Sequence, residues 1–282
     1  MSPRRALTLA GGALALILAA GCSPGGGTSS SASSAPPSAA PPASALPASA
    51  SPLASSLPAS AAPPASSLPA SAAPPASFTY NQPGMLQSGD SGVTDATLYA
   101  PGIRFPIEDA PAFADSQVYG HGGSNGPGGG QCDSPNYVYP WSDNFCEARS
   151  YTTPLCPAGT GHQGQDIRPS TCKAAVHPAV AAEAGVITQI GSYTVYLSAD
   201  SGRTYLYLHM QMNQLKVNVG DRVTRGQALG LVSNNFGATP TTIHLHFEIK
   251  EPVTLHGSTI TTRVPPYSSL VDAYQRLLAG TP

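Results

Sequence analysis

Ile243-His244-Leu245-His246-Phe247-Glu248-Ile249 alternates apolar and polar residues without a break. On a β-strand, side chains at i, i+2 and i+4 point the same way. The alternation puts His244, His246 and Glu248 on one face and Ile243, Leu245, Phe247 and Ile249 on the other. Two imidazoles side by side on a strand are a costly choice for an ordinary core. They make chemical sense where one holds a metal and the other handles protons or charge at the same centre. Glu248 either orients a neighbour or is a plain strand residue, and it stays outside the expected site.

Two other stretches supply partners. Gly161-His162-Gln163-Gly164-Gln165-Asp166 contains a His-x-x-x-Asp pair. Tyr207-Leu208-His209-Met210 places a further histidine at the end of an expected strand. Three ligands of His/Asp type plus one open position describe a catalytic zinc site. His121, His177 and His256 lack partner spacing and read as surface or structural residues.

In that order, His-x-x-x-Asp, Tyr-x-His-Met and His-x-His-Phe-Glu resemble the lysostaphin/LytM-like zinc metallopeptidases that cut peptidoglycan peptides. The resemblance runs from about Phe105 to Lys250 and is densest from Gly161 onward. Val219-Gly220-Asp221-Arg222-Val223-Thr224-Arg225-Gly226-Gln227 lies between the last two elements. The resemblance implies one Zn2+ per domain, with His162, Asp166 and His246 as ligands. It places His209 and His244 beside the attacking water and the scissile carbonyl. One would accept the water proton; one would stabilise the oxyanion or protonate the leaving amine.

The implied reaction is hydrolysis of peptide bonds in peptidoglycan stem peptides or cross-links. The alternative is an inactive relative that binds cell wall or activates an amidase. Such relatives have usually lost ligands, and none of the five positions is lost here. Two departures stand out. The usual Gly-Pro before the first histidine of His-x-His is replaced by Gly237-Ala238-Thr239-Pro240-Thr241-Thr242, and a long Gly-rich, cysteine-containing insert lies between Tyr119 and Thr160. Cross-links of D-alanine with a diamino acid and glycine-containing bridges both stay open as substrates.

The fold expected is mainly β, an antiparallel β-sheet domain of the lysostaphin/LytM type with long loops and a C-terminal helix. Gly185–Ile190, Thr194–Leu197, Thr204–His209, Ala228–Val232 and the His-x-His run read as strands, separated by turn signals such as Asp200-Ser201-Gly202. In the third, Tyr205, Tyr207 and His209 are expected on one face. Ile103–Ile107 reads as a short edge strand. The Val219-Gly220-Asp221 and Gly226-Gln227 turns, shared with lipoyl-type β domains, read as structural. Ser268–Gly280 reads as a helix, with Ser268 or Ser269 as cap and Gly280 as its end.

The N-terminus speaks of destination. Arg4 and Arg5 precede an apolar run from Ala6 to Ala20, too short to span a membrane and suited to a secretory signal. Leu18-Ala19-Ala20-Gly21-Cys22 looks like a bacterial lipoprotein signal, with cleavage before Cys22 and a lipid on it. The chain has 5 cysteines, an odd number for a secreted protein. Assigning Cys22 to a lipid leaves Cys132, Cys146, Cys156 and Cys172 for two disulfides in an oxidising compartment. Three pairings are possible, and nearest neighbours, Cys132–Cys146 and Cys156–Cys172, are expected.

Residues 23–77 are almost wholly Ser, Ala, Pro, Gly and a few Leu. The unit from Ser56 to Ser66 recurs unchanged from Ser67 to Ser77. Such a composition cannot bury a core; as an extended tether it spans on the order of 150 Å at most. The expected organisation is a signal peptide at 1–21, a disordered tether at 22–77, a loop-rich part at 78–160, and the peptidase core with its helix at 161–282. A formal net charge of -2 carries no basic patch and no case for nucleic acid. The partners expected are peptidoglycan and, through the anchor, a membrane. The expected location is the cell envelope, on the periplasmic face of the outer membrane.

Overall fold

The structure, a computed structural model, describes residues 77–90 and 92–282. The signal segment, Cys22 and almost all of the tether lie outside the described residues. Each expected strand of the C-terminal half is present. In chain order the elements are β1 (Phe113–Ala114), β2 (Gln165–Arg168), β3 (Pro178–Val180), β4 (Gly185–Ile190), β5 (Thr194–Ala199), β6 (Thr204–Leu208), β7 (Arg222–Val223), β8 (Ala228–Leu231), β9 (Leu245–Leu255), β10 (Ser258–Val264) and the helix α1 (Tyr267–Leu278). The main sheet runs β1-β2-β9-β6-β5-β4-β7, with β10 also paired to β9. β3 and β8 form a small second sheet. Every strand pairing is antiparallel, and among the described residues no helix is long and apolar enough to cross a membrane.

β9 is the axis of the domain. One of its faces carries Leu245, Phe247 and Ile249, which pack with Tyr205, Tyr207, Val195 and Leu197 and are fully buried. Truncating Phe247 there would cost about 3–5 kcal/mol through lost transfer and a residual cavity. The other face carries His246 and Glu248. Across β6 they oppose Leu208 and Leu206, and beyond those, on β5, lie Thr194 and Tyr196. This face floors an open groove.

That arrangement corrects one expectation. Tyr205 and Tyr207 face the core, with ring centroids 5.7 and 5.3 Å from Phe247. His209 does not share their face. β6 ends at Leu208, and His209 has φ 69°, a left-handed conformation that breaks the strand alternation. The turn delivers its ring to the groove, alongside Leu206 and Leu208.

β10 was not anticipated. Its residues Ser258-Thr259-Ile260-Thr261-Thr262-Arg263 carry almost no apolar face, so alternation gives no signal. The pairing is made by His256 and Gly257, with φ 49° and 80°, which form a two-residue turn and extend β9 to Leu255. Ile103–Ile107 forms no full strand. It runs extended beside β3 through Arg104 N–Ala182 O (2.9 Å), Val180 N–Pro106 O (2.9 Å) and one bridge, Ile107 to Ala179. Ile103, Phe105 and Ile107 are buried.

The helix begins one residue early. Pro266 stands at its N-cap and no side chain caps it, so neither Ser268 nor Ser269 has the expected role. Ser269 instead accepts a bond from Ala100 N (3.0 Å). Gly280 ends the helix at φ 73°, as expected. The helix and the loop-rich part meet around Trp141, whose ring lies 4.4 Å from Tyr274, 4.8 Å from Phe78 and 5.7 Å from Phe105. Such aromatic contacts anchor a segment that has little regular structure of its own.

Candidate metal centre

Strand register assembles the centre. Asp166 on β2 stands directly opposite His246 on β9, and Leu208 on β6 stands opposite His246 from the other side. Cross-strand partners bring their Cβ atoms to about 5 Å. A slip of one residue in either pairing would turn the ligand out of the groove. His244 precedes β9 and bridges Ser233. His162 enters from the loop just before β2, through Gly161 and Gly164. A Cβ on Gly164 would meet His246 Nε2 at 2.9 Å and clash with the Phe247 carbonyl. Glycine there lets the ligand loop lie against β9.

His162 Nε2 lies 3.3 Å from Asp166 Oδ1, and His246 Nδ1 lies 2.9 Å from the same oxygen. The donor atoms of His162, Asp166 and His246 all fall within 4.8 Å of one another, and all three residues are buried. Ligands about 2 Å from a tetrahedral ion stand about 3.3 Å apart, so the spacing suits a small divalent cation. His244 Nε2 lies 3.4 Å from Asp166 Oδ1. The His209 ring centroid is 4.7 Å from that of His244 and 6.1 Å from that of His246. The structure therefore brings together all five expected site residues.

The outward atoms of the cluster are tied down. His162 Nδ1 meets the Asn144 carbonyl (3.0 Å), His209 Nδ1 the Asn235 carbonyl (2.9 Å) and His244 Nδ1 the Thr242 carbonyl (2.9 Å). A carbonyl only accepts, so each of these nitrogens donates. His246 Nε2 meets Glu248 Oε1 at 3.1 Å, and a carboxylate likewise accepts. In the neutral ring, one nitrogen donates and the other keeps its lone pair. Three lone pairs, on His162, His209 and His244, thus face the groove beside one carboxylate oxygen, and His246 bridges Asp166 and Glu248. Tethered outer nitrogens of this kind are what metal-binding histidines show.

Several supporting residues carry no sequence signal. Asn144 is fully buried; it gives its amide to Asp166 Oδ2 (2.8 Å) and takes the Asp166 N–H (3.1 Å), while its carbonyl holds His162. It lies 18 residues before His162, in a loop without periodicity. Glu248, left outside the expected site, bonds His246 and also Arg263 Nε (2.8 Å). The approach to His244 is held from the loop-rich part. Gln131 Oε1 accepts the Ile243 N–H (2.7 Å), and Gln117 Oε1 accepts the Thr242 hydroxyl.

The disulfides are Cys132–Cys172 and Cys146–Cys156. The expected nearest-neighbour pairing is thus wrong, and the bridge that encloses His162 and Asp166 is Cys132–Cys172, with a sequence separation of 40. The cause is a fold-back of residues 146–161. Thr152 bridges Thr160, Thr153 N bonds the Gly159 carbonyl (2.9 Å), and Gly161 N bonds the Tyr151 carbonyl (2.9 Å). This brings Cys156 over Cys146, with Cα atoms 5.3 Å apart. Cys132 is left to Cys172 beyond β2, which ties the Gly-rich insert to the sheet.

Burial dominates the electrostatics, and charge pairing answers it. Burial acts to raise the Asp166 pKa, yet His162 and His244 together hold it well below the usual carboxylate range. Burial alone would lower His246, but Asp166 and Glu248 outweigh it and raise its pKa to about 9. At His209 the balance goes the other way. Burial, then His244 and His246, push its pKa down to about 2. It is therefore a neutral ring.

The groove above these residues has a volume of about 370 Å³. Tyr193 and Phe236 wall it beside His209, with Phe236 5.2 Å from the His209 ring. Residues 160–261 match the model of Peptidase family M23. That stretch is thus similar to peptidase family M23. The match covers all five clustered residues and most of the sheet. No curated protein matches the chain by sequence.

Among solved structures, this region is similar to the catalytic domain of the antimicrobial peptidase lysostaphin from Staphylococcus simulans, at 25% identity over 45% of this chain and 93% of that one, with a TM-score of 0.33. It is also similar to a protein of Ruminococcus gnavus described as a glycyl-glycine endopeptidase, at 24% identity over 40% of this chain and 47% of that one, TM-score 0.32. A third is a Pseudomonas aeruginosa protein described as a peptidase M23, at 26% identity, covering 39% and 43%, TM-score 0.30. The chain spans less than half the length of the last two.

Proposed function

We propose that this M23-like domain is a zinc-dependent endopeptidase that hydrolyses peptide bonds in peptidoglycan. One observation carries the reading: three buried donor atoms within 4.8 Å of one another, with two further histidines aimed at the same space. His162 Nε2, Asp166 Oδ1 and His246 Nδ1 would hold the ion. Zinc bound there supplies Lewis acidity, which acidifies water and polarises a carbonyl.

The remaining steps fall to the chain's own residues. His209 and His244 each keep their Nδ1–H on a backbone carbonyl, so each presents Nε2 to the groove as a proton acceptor. Once protonated, the same Nε2–H donates to a developing oxyanion or to the leaving amine. The fixed Nδ1 bonds prevent ring rotation, so the proton returns along the line on which it arrived. Tyr193 and Phe236 shield the His209 side from water. The deciding experiment incubates zinc-loaded protein with defined muropeptides and weighs the products. Protein with one bound zinc and no cleavage of any cross-link or stem peptide would remove the reading.

The same proposal includes the rest of the chain. Residues 1–21 direct export, Cys22 carries lipid, and residues 22–77 let the domain reach the wall from an envelope membrane. Stable anchoring needs more than one acyl chain, as a processed lipoprotein has. Cys22→Ser is expected to move the protein from the membrane to the soluble envelope fraction. Unchanged membrane association on cell fractionation would discard the anchor.

A further inference from the structure

Arg149 and Arg263 both line the groove. They are not equivalent. Arg149 uses its terminal nitrogens on the Ala148 carbonyl (2.7 Å) and on Glu147 Oε1 (2.8 Å). Arg263 uses only Nε, on Glu248 Oε2 (2.8 Å). Its two terminal nitrogens have no partner among the described residues, and its side chain is 29% exposed to the groove. The bond to Glu248 fixes the plane of the guanidinium. A fixed fork with two parallel free donors matches a carboxylate. Both groove carboxylates, Asp166 and Glu248, are already engaged, so the acceptor must come from outside.

Arg263 is one carboxylate away from His246, through Glu248. Extended peptide advances at most about 3.5 Å per residue, so this reach corresponds to the residues flanking the bond at the centre. Between them stands Glu248, whose carboxylate is engaged by both, while Leu206 and Leu208 on the other side of β9 add no charge to the floor. We propose that Arg263 is a specificity-determining residue that receives a substrate carboxylate beside the scissile amide. The inference rests on the proposed peptidase activity and narrows its substrate. It favours cross-links through a diamino acid whose acylated amine shares its carbon with a carboxylate. A bridge made only of glycine offers no such group along its length.

The test uses zinc-loaded full-length protein and two synthetic cross-linked peptides. They differ only in whether the carboxylate next to the scissile nitrogen is free or amidated. The native protein should cleave the free acid with a kcat/KM about ten- to a hundredfold above that of the amide, the worth of a charge-assisted hydrogen bond. Arg263→Gln should abolish that preference by slowing the acid only, with zinc content unchanged. Arg149→Gln should keep it. If Arg263 merely supports Glu248, Arg263→Gln will slow both peptides by the same factor, and the inference falls. Equal cleavage of both peptides by the native protein also overturns it while leaving the peptidase reading intact. If neither peptide is cleaved although zinc is bound, the peptidase reading fails. Calorimetric binding of the two peptides then still decides Arg263, and equal affinities would count against it.

Discussion

The sheet, residues 165–264, and the loops, residues 78–160, hold the same centre by different means. The sheet supplies Asp166, His209, His244 and His246, placed by register across β2, β9 and β6 or at the ends of those strands. The loops supply none of the five. They supply Asn144, Gln117 and Gln131, which fix the outward atoms and the backbone next to the centre. His162 sits at the junction, donated by one region and oriented by the other. Position thus comes from backbone pairing, while the loops fix the His162 tautomer and the approach to His244. Within the loops there is a second division: Asn144 serves the proposed ligands, and Gln117 and Gln131 serve the approach to His244.

The largest effects should follow from the sheet residues. His246→Ala removes one of three proposed ligands and is expected to lose most of its zinc, measured by elemental analysis, and all turnover. His209→Ala and His244→Ala should keep both zinc and fold and lower turnover by roughly a hundredfold or more. Full zinc occupancy in His246→Ala would withdraw the ligand assignment. Near-normal turnover in both of the others would move the proton chemistry elsewhere.

Asn144→Ala tests whether the loops hold the ligands or only cover them. The substitution leaves every proposed ligand in place but frees the Asp166 carboxylate and alters the loop that holds the His162 ring. Loss of such supporting contacts usually lowers metal affinity ten- to a hundredfold. A chelator competition should show that drop with the melting temperature little changed beyond the metal's own contribution. Native affinity in Asn144→Ala would mean that strand register alone organises the centre.

The contrast also explains what could be read from the chain. Alternation in Ile243–Ile249 and the His-x-x-x-Asp spacing are local patterns, and the strands and the five clustered residues follow from them. Asn144, Gln117 and Gln131 act through contacts that bridge 22, 125 and 112 residues of sequence, so no local pattern marks them. The disulfide pairing failed for the same reason. Nearest-neighbour logic ignores the fold-back at Thr152–Thr160, which is made by backbone bonds in a glycine- and proline-punctuated loop. His209 was found by its motif, but its face was not, because one left-handed residue overrides strand alternation.

The two bridges offer a test of the division inside the loops. Cys146–Cys156 lies two residues from Asn144 and closes a short loop, with a sequence separation of 10. Cys132–Cys172 has a separation of 40 and adjoins Gln131. Chain-entropy arguments assign about 3 kcal/mol to the first and about 4 kcal/mol to the second, with measured bridges often weaker. Cys132→Ser/Cys172→Ser should therefore lower the melting temperature more. Cys146→Ser/Cys156→Ser should be the pair that weakens zinc retention. The opposite ranking in a side-by-side chelator and melting series would erase the distinction between the loop at Asn144 and the segment at Gln131.

The smallest effect expected belongs to Gln131, and it is the most specific. The segment before His244 lacks the rigid Gly-Pro expected there, and the insert replaces that rigidity with a hydrogen bond. Gln131 Oε1 takes the Ile243 N–H at 2.7 Å, and Cys132 next to it is pinned to Cys172. Without the acceptor, a largely buried N–H loses its partner, at a cost of about 1–3 kcal/mol. Local rearrangement can relieve this by moving Thr242 and with it the carbonyl that sets the His244 tautomer. Gln131→Leu should then lower kcat about tenfold while zinc content stays at one per domain. Gln131→Glu keeps an acceptor oxygen at the same reach and should restore most of the rate. Loss of zinc in Gln131→Leu would show that the insert supports the ligands as well. A rate equal to the native one would show that His244 holds its own position from β9 alone.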